Sequence, residues 1–190
     1  MSSVDSILDS KSEAYYDPAA DFSGVMPEGS YKAYATELTV KENLVIKNKY
    51  LADVYEVTFE VAKENSDNTY ERDGKEFSGK VFVGKNVKSK GFFRFKKPDP
   101  STYPGLEENS GSNKSYKELV ESFSVSLEED SEGRFFLPSV DESDIAGMPV
   151  LIDVYHSKWV DNEGNERTTP RAGAIYVWDG QKKKEEDLPF

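Results

Sequence analysis

The chain has no cysteine and a single histidine, His156, among its 190 residues. The first absence excludes disulfides, thiol nucleophiles and cysteine-held zinc. The second leaves any histidine-based metal cage or proton relay to carboxylates alone, and His156 reads as a packed or surface residue of a strand. No run of 18 apolar residues occurs and the first residues lack a basic-then-apolar profile, so neither a membrane span nor a secretory leader is expected. A cytoplasmic protein fits these gaps. Aliphatic residues are also sparse: hydrophobic residues make up 36%, a share that leans towards disorder. Against that stand eleven Tyr and eleven Phe, which argue for a folded, β-rich core. At this length one such core is expected.

The net charge of −12 speaks against a nucleic-acid partner until its distribution is read. Residues 1–29 hold six acids and one base, and residues 98–145 twelve acids and three bases. Between them "KVFVGKNVKSKGFFRFKK", residues 80–97, holds seven bases and no acid. An acidic body with one basic, aromatic-rich strip is a directed field.

Periodicity supplies the architecture. In "YKAYATELTV" the residues Tyr34, Thr36, Leu38 and Val40 alternate onto one face; in "YLADVYEVTFEV" Tyr55, Val57, Phe59 and Val61 do the same. Asp73-Gly74 marks a turn, "FSGKVFVG" reads as a strand with Val81 and Val83 inward, and "GFFRFKK" as a short further strand. Residues 115–125 form the one convincing helix. Tyr116, Leu119, Val120 and Phe123 fall at helical spacing behind a Ser115/Glu118 capping-box pattern. "RFFLPSV" offers a weaker strand, and "PVLIDVYHSKW" and "RAGAIYVWDG" form a closing pair around "VDNEGNERTTP". Three strands with an extra ribbon, a helix, then two strands is the order of the OB-fold, a five-stranded Greek-key barrel. The expected organisation is a flexible arm over 1–29, an OB-like domain over 30–180 and a tail over 181–190.

Single strands of nucleic acid are held by cations that track phosphates and by rings on which bases stack. Lys80, Phe82, Lys85, Lys88, Lys90, Phe92, Arg94, Lys96 and Lys97 supply both in one stretch. Continuous alternation places Phe82 and Phe92 on the charged face and Phe93 and Phe95 in the core. Tyr155, Lys158, Trp159, Arg167 and Arg171 of the last hairpin extend the surface. Three other patterns fail as sites. "GKVFVGKN" approximates a phosphate loop, but its interior is bulky and alternating and no helix follows. "DNEGNE" places its glycine too early for a calcium loop. "DESD", residues 141–144, reads as solvated surface. No nucleophile has a base nearby, so no catalytic residue, metal or cofactor is expected.

The chain closes on "EEDLPF", which resembles the C-terminal tip of bacterial single-stranded-DNA-binding proteins: acids, a small apolar residue, Pro and a terminal Phe. Phe190 suits an apolar pocket and its carboxylate a basic residue, with Glu185, Glu186 and Asp187 steering and Leu188 and Pro189 restricting the peptide. The body, through "MPEGSYKAYATELTV", "IAGMPVLIDVYHSKWVDNEGNE" and "AIYVWDG", resembles phage-type single-stranded-DNA-binding proteins of the OB class. That resemblance implies sequence-independent coating of single strands in replication, recombination or repair, with the tip recruiting partner proteins. A homodimer is compatible with it. The other reading of the same residues is an OB-fold adaptor that binds proteins and no nucleic acid.

Overall fold

The protein is described by a computed structural model over residues 24–180. Its longest strand, β1 (Gly29–Ile46), buries Tyr31, Ala33 and Ala35, and then its register breaks between Ala35 and Glu37. Past that bulge the inward parity switches, so Leu38 and Val40 pack against the core while Tyr34 and Thr36 stay half-exposed. A single alternating face from Tyr34 to Val40 is therefore corrected. The lysine–asparagine turn at Lys47 and Asn48 takes positive φ at both residues, as a tight hairpin needs, and leads into β2 (Tyr50–Val61). There Tyr55, Val57, Phe59 and Val61 are buried together, as their spacing predicts.

The ribbon is β3 (Thr69–Arg72) and β4 (Lys75–Ser78), joined at Asp73-Gly74 with positive φ at both residues. Where "FSGKVFVG" reads as a continuing strand, the chain instead makes a tight 3-10 turn over Gly79–Phe82. The turn swings Phe82 inward, edge-on to the stacked rings of Tyr31 and Tyr70, whose centroids are 4.1 Å apart. Asn65 fastens this end of the barrel: its buried amide donates to the carbonyls of Lys32 and Ala62, and its side-chain oxygen accepts from Lys32 N–H and the Tyr70 hydroxyl.

The third barrel strand is broken into β5 (Asn86–Ser89) and β6 (Phe92–Lys96), both antiparallel to β2. Helix α1 (Lys114–Ser122) follows, packing Tyr116 4.7 Å from the ring of Tyr55 and burying Leu119 and Val120. The Ser115/Glu118 box does not start it. Asn113 precedes the helix and spends its side chain on the backbone of Phe95, accepting at 2.7 Å and donating at 3.0 Å. Glu118 pairs with Lys114 instead.

"RFFLPSV" contributes only a single bridge, Glu129 to Phe135, and "DESD" caps the short helix α2 (Glu142–Ile145). Strands β7 (Pro149–Val160) and β8 (Glu166–Val177) then form the last hairpin. Around the barrel the order is β1–β2–β5–β8–β7, closed by β7 on β1, with β5 parallel to β8. This is a mainly β, OB-like five-stranded Greek-key barrel with α1 between its third and fourth strands. The end of the expected arm is part of the body: Met26 is buried, its carbonyl bonded to His156 Nε2 at 2.8 Å, and the Pro27 carbonyl accepts from Tyr31. No helix among the described residues is long and apolar enough to cross a membrane.

Candidate nucleic-acid interface

Cross-strand partners point to the same face of a sheet. On the outside of the barrel this rule aligns Thr58 with Lys88, Lys88 with Arg171, and Arg171 with Tyr155. The row crosses β2, β5, β8 and β7, about 14 Å at the usual strand spacing. It floors a polar groove of about 470 Å³ that Lys90 and Ser157 also line. Lys88, Lys90 and Arg171 make no ion pair among the described residues, and the one acid in the groove, Glu56, is paired with Lys41 at 2.8 Å. The groove is therefore cationic and uncommitted. Gly173 is part of its construction, because a Cβ there would lie 3.1 Å from the Tyr155 ring.

Aromatic surface flanks the row on both sides along the strands. Along β7, Trp159 shares the face of Tyr155; its indole N–H donates to Thr169 Oγ1 at 3.0 Å and the ring stays 51% exposed. In the other direction Phe93 and Phe95 lie beside Lys90 over a shallow hollow of about 270 Å³. Their rings are stacked at 5.9 Å and 18°, with Phe93 37% exposed.

That pair reverses the expected assignment, and the cause is one residue. β5 pairs with β2 as Thr58–Lys88, whereas β6 pairs as Tyr55–Phe92, a register shift of one at Lys90-Gly91. Gly91 takes φ +92°, and a Cβ there would meet Val54 at 3.1 Å. Past this bulge the odd residues face out and the even ones in. Phe92 is a core residue at 3% exposure, and Phe82 is fully buried by its turn; neither can offer a ring face to a base. A glycine inside an alternating run is the signal that could have revealed the bulge.

The same flip commits Arg94 and Lys96 to structure. Arg94 donates to the Leu137 carbonyl at 3.0 Å and pairs with Asp53 at 3.3 Å; Lys96 pairs with Asp53 at 2.7 Å. Burial pushes the Asp53 carboxyl up, but hydrogen bonds from Lys96 and the Asn43 N–H, with the Lys96 and Arg94 charges, outweigh it and hold it below the usual range. A depressed carboxyl stabilises the fold fully above its unfolded value, about 3.9, and that contribution is lost as pH falls through the folded value. Asp53→Asn should therefore cost about 1–3 kcal/mol at pH 7, less than for a fully buried pair because both cations reach water. The gap to the parent should shrink in urea titrations near pH 3. An unchanged gap would remove Asp53 from this role.

The remaining predicted cations divide by position. Arg167 is opposite Trp159 but its Nε is bonded to Asp161 at 2.8 Å. Asp161 also accepts from the N–H groups of Glu163 and Asn165, so the "DNEGNE" loop is closed on itself. Lys158 falls on the other side of β7, beside His156 and Thr168. Lys80 lies within the 3-10 turn, Lys85 follows it and Lys97 follows β6; none of the three lines the groove. "GKVFVGKN" runs from a 3-10 turn into β5, with no helix for phosphate to cap. Glu185, Glu186, Asp187, Leu188, Pro189 and Phe190 lie outside the described residues. No protein-family model and no curated protein matches the chain.

Proposed function

We propose that the protein binds single-stranded DNA without sequence preference, through the groove across β2, β5, β8 and β7. The observation that supports this most is the row Lys88–Arg171–Tyr155, cations with no ion pair among the described residues beside a tyrosine, continued by exposed Trp159 on one side and the Phe93–Phe95 stack on the other. Cations spaced along a groove hold phosphates whatever the base, and exposed rings accept any base by stacking, at about 1–3 kcal/mol each. Duplex DNA hides its base faces and forgoes the second contribution. The role we propose is coating of single strands during replication, recombination or repair, of the kind phage-type proteins of this class perform. Recruitment of partner proteins through residues 185–190 belongs to the same proposal and rests on the sequence.

Tryptophan fluorescence titrated with oligo-dT tests it, since Trp159 borders the groove. Quenching at low salt should weaken with a log–log slope of about −2, from three phosphate-bound cations at roughly 0.7 each. Phe190→Ala should leave that curve in place while weakening capture of replication or recombination proteins. No quenching at micromolar concentration would sink the DNA reading and leave the protein-binding adaptor.

A further inference from the structure

A second concavity, about 870 Å³, lies between α1 and the 128–137 turn, and the DNA reading does not use it. The turn that walls it is well braced. Asp130 accepts from the N–H groups of Glu132 and Arg134 and from Arg134 Nε, and Phe136 N–H donates to the Glu128 carbonyl at 2.9 Å. The Leu137 carbonyl is held by Arg94. On this frame Phe135 lies under the Lys117 ammonium, 4.4 Å from the ring centre, whereas Phe136 is 66% exposed. A rigid turn that leaves a phenyl ring in water presents an anchor site.

Charge indicates the occupant. The three bases of residues 98–145 are all paired within that segment: Lys114 with Glu118, Lys117 with Glu121, and Arg134 with Asp130 and Glu132. Glu108, Glu128 and Glu129 line the concavity and make no ion pair among the described residues. The rim is therefore net acidic around an apolar floor, which repels nucleic acid.

We infer that this groove docks a basic, apolar-anchored peptide segment of a partner protein, its aliphatic or aromatic side chain on Phe136 and its lysines or arginines against Glu108, Glu128 and Glu129. The site is distinct from the cationic groove, and the inference stands whether or not that groove binds DNA.

The test is fluorescence anisotropy of a labelled peptide of alternating Leu and Lys against the full chain, with the Leu/Glu peptide as counterpart. The Leu/Lys peptide should bind and the Leu/Glu peptide should not. Phe136→Ser should weaken binding at least about tenfold, the scale of losing one packed aromatic anchor. Glu128→Gln with Glu129→Gln should weaken it most at low salt. An unchanged melting temperature for Phe136→Ser separates loss of docking from loss of fold. Equal binding by parent and Phe136→Ser would overturn the inference. Self-association in sedimentation that Phe136→Ser abolishes would overturn it in favour of a second copy. Tighter binding by a chain with Lys182, Lys183 and Lys184 changed to Ala would overturn it in favour of that basic segment as the groove's own occupant.

Discussion

Replacing Lys88 and Arg171 together by Glu is expected to abolish oligo-dT binding, with affinity down by about 10²–10³ at low salt. The two residues are direct register partners on adjacent parallel strands, so under the proposed function their charges would act together on the phosphates of one bound strand. Reversal would remove two attractive contacts and install two repulsive ones in a groove whose one carboxylate among the described residues, Glu56, is paired with Lys41. The milder Lys88→Ala, Arg171→Ala pair should lower the salt slope by about 1.4, two counterions at roughly 0.7 each. Lys80→Glu with Lys158→Glu changes net charge equally at positions away from the groove and should have little effect. If both double reversals weaken binding alike, the interaction is a general field and the groove is not its seat.

Gly79→Ala is expected to be the most damaging single methyl in the fold, at about 3–5 kcal/mol. A Cβ on Gly79 would stand 1.8 Å from the Asn65 carbonyl oxygen and 2.8 Å from its carbon. Both are backbone atoms, and neither can rotate away. The Gly79 N–H donates to the Asn68 carbonyl at 2.8 Å, so the turn cannot retreat without losing that bond. Any displacement reaches the Asn65 amide, which ties β1 to the loop after β2, and then Phe82 against Tyr31 and Tyr70. Gly84→Ala is the control. It lies just past the same turn, at φ +75°, but nothing lies within 4 Å of its added Cβ, so only the left-handed backbone penalty of about 1 kcal/mol applies. Chemical denaturation of the two variants separates the mechanisms. A Gly79→Ala loss no larger than that of Gly84→Ala would show that the Asn65 backbone moves freely.

The strand order, the helix and the place of the basic strip between them were legible in the sequence. They depend on local periodicity and turn chemistry: Tyr55 to Val61 alternates cleanly, Tyr116 to Phe123 repeats at helical spacing, and Asp73-Gly74 tolerates positive φ. The registers of β5 on β8 and of β8 on β7, which barrel order alone does not fix, bring Lys88, Lys90, Arg171 and Tyr155 to one groove. What only the tertiary structure decided is parity. A side chain's face in a strand changes with every residue, so one bulge inverts everything beyond it. The bulge at Gly91 turned Phe93 and Phe95 outward and sent Phe92 to the core and Arg94 and Lys96 to Asp53; the one after Ala35 did the same to the end of β1. A bulge is selected by what two strands must pair with, and that partner lies outside the window from which periodicity is read.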